Sequence, residues 1–261
     1  MNEVAFRNTK GDREADLARY FQAQYADFDE DIAFYQQLAE TAGGPILELG
    51  CGTGRVLLQL AKHGKTCVGV DSDTAMLRRL ALQLSGDPTV KVHLIKARVE
   101  SLPLTGNFPL IISPCSTMAY LPDPQFRAAL SRIRSLLPPN GILAMDLPAA
   151  KQPRILETQQ GEIIDEFHEP ERGTDVQVSA AQRRLNETTY EVNWHYEEMT
   201  PDGHTQRTTI PTRYHLRTIE KLKDMLGEAG LRLEDGYRNY SLEPIQPDAP
   251  GFIAIARPDH G

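Results

Sequence analysis

The sequence predicts a doubly wound α/β fold: a parallel sheet covered by helices on both faces, preceded by a helical cap and interrupted by an antiparallel β lid. Three observations carry this. From Ile46 to Met145, short apolar runs alternate with apolar stripes at helical spacing, the pattern of parallel strands buried on both faces. A glycine cluster, Gly50-Cys51-Gly52-Thr53-Gly54, separates the first run from the first stripe. Beyond residue 150 the period drops to two: Tyr190, Val192, Trp194 and Tyr196 alternate with Glu191, Asn193, His195 and Glu197.

Each element follows in order. Residues 1–44 read as helical, with Leu17, Ala18 and Phe21 on one stripe and Ile32, Tyr35, Leu38 and Ala39 on another, stopped by Gly43-Gly44-Pro45. Ile46–Leu49 is the first strand; Val56, Leu57, Leu60 and Ala61 mark the helix after it, and Gly64 ends it. Thr66–Val70 is the second strand, and Asp73 is placed to cap the helix bearing Met76, Leu77, Leu80, Ala81 and Leu84. Val92–Ile95, Leu110–Ile112 and Ile142–Met145 are three further strands. The helix of Phe126, Ala129, Leu130, Ile133 and Leu137 lies before the last of them and stops at Pro138-Pro139-Asn140-Gly141. Residues 162–168 and 174–185 add two antiparallel strands, and Thr205–Tyr214 returns from a turn at Pro201-Asp202-Gly203. Thr218 caps a final helix that ends at Gly230, before strands at 231–240 and 251–257. The expected organisation is a cap over 1–44, the sheet domain over 45–150 and 216–261, and a lid over 151–215.

The composition excludes several classes. The 261 residues are 40% apolar and 25% charged, which is globular. With 28 Lys and Arg against 36 Asp and Glu, the net charge of −8 disfavours non-specific binding to nucleic acid or an anionic membrane. No run approaches the roughly 18 apolar residues of a membrane span, and Met1-Asn2-Glu3-Val4 lacks the basic start and apolar run of a secretory signal. Cys51, Cys67 and Cys115 are an odd set, too few for a disulfide framework or a zinc cluster, so a reducing cytoplasm is the expected compartment. The lid holds 7 Lys and Arg against 12 Asp and Glu, a solvated face or a wall that disfavours phosphate-bearing ligands.

The chemistry starts at Glu48-Leu49-Gly50-Cys51-Gly52-Thr53-Gly54. Glycine there allows a sharp turn and close approach of a ligand to the main chain, and the helix behind it offers free N–H groups. Asp71 follows Gly50 by about 20 residues at the end of the second strand, where a carboxylate meets ribose hydroxyls in doubly wound folds. A dinucleotide loop needs a small sixth residue where Arg55 stands, and the Gly-Lys-Ser/Thr of a nucleotide-triphosphate loop is absent. The spacing suits a nucleoside without a pyrophosphate. The bland alternative, a turn that binds nothing, is disfavoured by strand, helix and Asp71 together.

Ile46 to Val56 resembles motif I of the class I S-adenosylmethionine-dependent methyltransferases. Gly69 to Leu77 resembles their motif II, Phe108 to Ser113 their fourth strand, and Leu136 to Leu143 the loop entering the fifth. The resemblance spans about residues 20–147 and the last helix and hairpin, and the inserted lid is similar to that of small-molecule N- and O-methyltransferases. It implies a Rossmann-like sheet and S-adenosyl-L-methionine as cofactor. Gly50, Cys51 and Gly52 would meet its methionine part and ribose, with Glu48 at the amino group. Asp71 would take the ribose hydroxyls, and Ser72 and Met76 would lie beside adenine. Arg98 stands where the family carries an acid, so Val99 backbone or Glu100 would make that contact. Ser113 and Pro114 would lie near the methionine end. Tyr20 and Tyr25 resemble tyrosines that close over the cofactor, and are equally read as helix-face aromatics.

Methyl transfer from a sulfonium is an in-line displacement that needs alignment more than a conspicuous catalytic motif. His195, on the polar face of its strand, is the candidate base, with His215 and Tyr120 as others. Pro114-Cys115 matches the pair of cytosine C5 methylation, but no second cysteine follows the fifth strand, and Thr66-Cys67 lies on the second. The Asp/Asn-Pro-Pro-Tyr/Phe signature of adenine and glutamine N-methylation is absent. The expected function is transfer of a methyl group to an N or O atom of a small metabolite, with neither nucleic acid nor membrane as partner. The alternatives are methylation of RNA or protein, a non-catalytic cofactor-binding protein, and a nicotinamide oxidoreductase.

Overall fold

A computed structural model describes residues 10–149, 162–199, 203–246, 249 and 251–259. The turn residues Pro201 and Asp202, the segment 1–9, residue 150 of the expected sheet domain and residues 151–161 of the expected lid lie outside them.

Two helices open the described chain, α1 (Lys10–Gln24) and α2 (Ile32–Ala42). The alternating part runs β1 (Ile46–Leu49), α3 (Arg55–Lys62), β2 (Thr66–Asp71), α4 (Thr74–Ser85), β3 (Lys91–Lys96), β4 (Leu110–Ser113), α5 (Asp123–Leu136) and β5 (Ile142–Pro148). Four long strands follow, β6 (Ile163–Glu169), β7 (Thr174–Arg184), β8 (Thr189–Met199) and β9 (Thr205–His215). The chain closes with α6 (Ile219–Glu228), β10 (Leu231–Tyr237) and β11 (Gly251–Pro258).

The fold is the doubly wound α/β arrangement expected. The central sheet has the order β10-β11-β5-β4-β1-β2-β3. β1 to β5 are parallel, and β11 lies antiparallel between β5 and β10. The strand order reverses beside β1, so its carboxyl end faces the crevice where such sheets bind ligands. Alternation along β1 divides the core. Leu47 and Leu49 pack towards α5 and α6 with Leu130, Ile133 and Leu226, while Ile46 packs towards α2 and α3 with Tyr35, Leu57 and Leu60. Each such side chain contributes about 1.5–3 kcal/mol on leaving water. The caps act as read from the sequence: Asp73 accepts from Ala75 and Met76 N–H, and Thr218 from Lys221 N–H.

The second sheet is an antiparallel meander, β6-β7-β8-β9. Trp194 pairs with Ile210 and His195 with Thr209 across β8 and β9. Pro211 is tolerated because β9 is an edge strand. A buried polar cluster holds α1 on this sheet. Arg19 donates to Glu198 at 3.0 Å, to Asp16 at 3.2 Å and to Glu169. Tyr20 and Thr174 hydroxyls each donate to Glu198 at 2.7 Å. Burying such charges costs several kcal/mol per ion, offset here because every one is multiply hydrogen-bonded. Among the described residues, no helix is long and apolar enough to cross a membrane.

Candidate functional site

The bend after β1 is built from backbone groups. Gly50 and Cys51 N–H both donate to Val70 O, at 2.8 and 3.0 Å, binding the loop to the end of β2. Gly50, Gly52 and Gly54 have φ of +71°, +51° and +88°, conformations that L side chains strain to adopt. A Cβ on Gly50 would stand 2.4 Å from the Thr117 side chain, whereas one on Gly52 would meet only Phe21, at 3.6 Å. Gly52 therefore presents bare backbone to open space. Its N–H donates to Asp71 Oδ2 at 2.9 Å, and Asp73 N–H donates to Asp71 Oδ1 at 2.8 Å. Burial pushes the Asp71 carboxyl above its usual range, against those two hydrogen bonds; hydroxyl donors from a ligand would relieve that cost.

The loop opens into a crevice of about 440 Å³. Tyr25, Gly50, Gly52, Asp71, Ser72, Met76, Arg98, Val99 and Tyr120 lie in its wall. Arg98 is largely exposed and pairs with Glu100, which lies in the same wall. The far wall is the antiparallel sheet: Trp194 and Tyr196 from β8, and Ile210, Thr212 and Tyr214 from β9. α1 spans the two with Leu17, Phe21 and Gln24. A second cavity, of about 540 Å³, lies on the α6–β10 side, away from the glycine bend, lined by mixed charges such as Lys223, Glu234 and Asp235.

Seven residues singled out in the sequence are not brought to the crevice wall. Tyr20 is fully buried, stacked on Tyr196 with centroids 5.3 Å apart and bonded to Glu198, so it fastens α1 to the lid. Glu48 shares the face of Ile46 on β1 and is closed in beneath α3; burial drives its carboxyl well up, and Oε2 has no hydrogen-bond partner among the described residues. Cys51 is buried with its thiol against the Gly69 backbone. Ser113 is buried at the end of β4, and Pro114 follows it outside the wall. His195 and His215 correct the expectation of a histidine base at the site. Alternation puts Trp194, Tyr196 and Tyr214 on the crevice face, so the intervening histidines point away, and His195 instead bonds Thr209 at 2.8 Å. Alternation groups Trp194 and Tyr196 on one face of β8 and His195 on the other; that the aromatic face lines the crevice is decided by how the sheet packs, for which the sequence carries no local signal.

The turn after β4 is strained in a way the sequence does not announce. Cys115 and Ser116 both have positive φ, 54° and 57°, costing about 1–2 kcal/mol each. Asp146 on β5 holds them, accepting from Ser116 N–H at 2.7 Å and Ser116 Oγ at 3.1 Å. Burial pushes the Cys115 thiol up to about 12, aided by Asp146 and opposed by Arg55. It is not a thiolate at neutral pH, as a cytosine-attacking cysteine would have to be.

Comparison with known proteins agrees with this architecture. The family model described as a methyltransferase domain matches residues 46–141. The trans-aconitate 2-methyltransferase of Deinococcus radiodurans is 34% identical over 106 residues, covering 40% of this chain and 38% of that protein. The matched stretches span between about two fifths and a half of the curated relatives' own lengths. An S-adenosylmethionine-dependent methyltransferase from Clostridium acetobutylicum superimposes with a TM-score of 0.76 at 15% identity, over 92% of this chain and 96% of that one. A sugar N-methyltransferase from Streptoalloteichus does so with a TM-score of 0.70 at 21% identity, over 93% and 92%. At those identities the likeness is one of fold.

Proposed function

We propose that this chain, whose fold is similar to that of S-adenosylmethionine-dependent methyltransferases and whose residues 46–141 match the model of a methyltransferase domain, transfers a methyl group from S-adenosyl-L-methionine to an N or O atom of a small metabolite in the cytoplasm. The observation that carries this reading is the Gly52–Asp71 hydrogen bond at the head of the crevice. It sets a carboxylate and a stretch of uncovered backbone side by side, as a ribose with a short charged tail requires.

The residues fit that cofactor. Asp71 is desolvated and lines the crevice, Gly52 has no side chain to fill the space beside it, and Met76 and Val99 offer apolar edges for a base. The bound cofactor supplies an activated methyl group on a cationic sulfur. The chain's own part is alignment: α1 and the antiparallel sheet bound a crevice of small-ligand size over the bend. That size favours a metabolite over RNA or a protein segment.

Titration calorimetry with S-adenosylhomocysteine, run beside a nicotinamide dinucleotide, tests the cofactor assignment. Binding of the first alone is expected; the reverse would overturn it. Methyl transfer across a metabolite panel then separates an enzyme from a binding protein, and transfer to RNA or protein with no metabolite modified would overturn the substrate class.

A further inference from the structure

We propose that the methyl acceptor is an amine nitrogen presented as the free base on a ring-bearing small molecule, and not a hydroxyl, carboxylate or thiol. This rests on the methyltransferase reading above and concerns the part of the crevice beyond the glycine bend.

The argument comes from what the walls hold. All charged side chains of the crevice among the described residues stand at one end: Asp71 and Asp73 after β2, Arg98 and Glu100 after β3. The other end, formed by the turn after β4 and by the lid, presents Cys115, Tyr120, Trp194, Tyr196, Thr212 and Tyr214. Tyr120 and Tyr214 rings lie 5.3 Å apart, and the Tyr214 hydroxyl is coupled to the Trp194 indole and to Tyr120. No histidine, carboxylate, lysine or arginine stands there among the described residues. Two charged groups close behind are already engaged. Asp146 is taken up by Ser116 and faces Tyr35, and Arg55 is bound to both oxygens of Asp31 at 2.6 Å.

Each acceptor class makes a different demand on that wall. A hydroxyl must lose its proton before or during attack, and no side chain there among the described residues is placed to take it. Burial holds the Tyr214 and Tyr25 hydroxyls above their usual range, and the Cys115 thiol likewise; Tyr120 is 44% exposed, and an exposed phenol, which ionises at about 10, is also protonated near neutrality. A carboxylate or thiolate needs no base but needs a cation to hold it, and none of the described residues supplies one facing the space. An amine needs neither. Its lone pair forms the new N–C bond, the C–S bond breaks with its electron pair going to sulfur, and the resulting N-methylammonium gives its proton to water. Absence of a carboxylate also disfavours entry as the ammonium ion. The flat faces of Trp194 and Tyr196 suit a ring carrying that amine.

The test uses the full chain and matched probes: phenethylamine, phenethyl alcohol, phenylacetate and phenethyl thiol, and likewise glucosamine, glucose and gluconate. Labelled methyl transfer is expected on an amine, at least about 100-fold above its oxygen or sulfur counterparts, the scale of a missing base. Trp194 is the only tryptophan, so its emission reads acceptor binding independently of turnover. With S-adenosylhomocysteine bound, amines are expected to shift it saturably near pH 9 and carboxylates not to. Label on oxygen or sulfur, or no labelled amine while the cofactor binds, overturns the inference; failure of the cofactor to bind overturns the enzyme reading instead. Ultraviolet titration of tyrosinate in wild type, Tyr120→Phe and Tyr214→Phe is a third arm. A crevice tyrosine ionising below about pH 8 would supply the base denied here and would also overturn it.

Discussion

Gly52 donates its backbone N–H to Asp71 Oδ2 at 2.9 Å, which makes the bend after β1 and the end of β2 one unit before any ligand arrives. Asp71 therefore has two roles, holding the loop and offering its remaining lone pairs. Asp71→Ala is expected to weaken S-adenosylhomocysteine binding by about 1–3 kcal/mol, the cost of leaving hydroxyls and a backbone donor unpaired in a partly buried site. Calorimetry measures it, and unchanged affinity would remove the site assignment.

Gly50 and Gly52 have similar φ but different surroundings. Gly50→Ala puts a methyl 2.4 Å from Thr117, whose hydroxyl is itself bonded to Pro114 O at 3.0 Å. It should cost about 1–3 kcal/mol more stability than Gly52→Ala, the usual penalty of overpacking. Thr117→Ala should recover part of the Gly50→Ala loss and none of the Gly52→Ala loss. Urea unfolding of the set decides it; equal losses would mean the contact carries no energy.

Glu198 is fully buried at the junction of α1 and the lid. Burial pushes its carboxyl up, but hydrogen bonds from Arg19, Thr174 and Tyr20 outweigh that and hold it below the usual range. A depressed carboxyl stabilises the fold above its unfolded value near 4.5, and the contribution fades as pH falls through the folded value. Glu198→Ala is expected to cost about 1–3 kcal/mol at neutral pH, by leaving the buried Tyr20 and Thr174 hydroxyls unpaired and taking one of three carboxylates from Arg19, and much less in acid. A small loss independent of pH would show that α1 is held by its apolar contacts alone.

Asp146 has the opposite sign. Burial raises its carboxyl to about 6, although Ser116 bonds to it. Between the unfolded value of 3.8 and about 6 the folded state holds more protons, so this group's contribution is present in acid and is lost as pH rises through that window. The expected swing is on the order of 1–3 kcal/mol. Asp146→Asn keeps an acceptor for Ser116 N–H, so it should be more stable than wild type near pH 8 and should lack the swing. Unfolding measured across the window checks both, and a variant less stable at high pH would contradict the account.

Much of the molecule was legible in the order of its residues. The β1 bend, the cap at Asp73 and the position of Asp71 follow from covalent spacing and short-range periodicity, which any fold of these segments must respect. Tyr20 on α1 and Tyr25 just past its end show where such reading stops. If the helical turn is continued to Tyr25, the two point about 140° from each other, so both could not close over one ligand; which one faces the crevice depends on where the antiparallel sheet packs. Tyr25 lines it, while Tyr20 stacks on Tyr196.

The sequence by itself determined the strands, their alternation and the chemistry of the bend, because these depend on neighbours a few residues away. Only the tertiary structure decided which face of β8 and β9 looks into the crevice. Alternation defines two faces equally well, and the choice is made by burial of the Trp194–Tyr196 face against α1 and the turn after β4, segments far away along the chain. That choice turned the histidines outward and left an uncharged aromatic wall opposite Asp71.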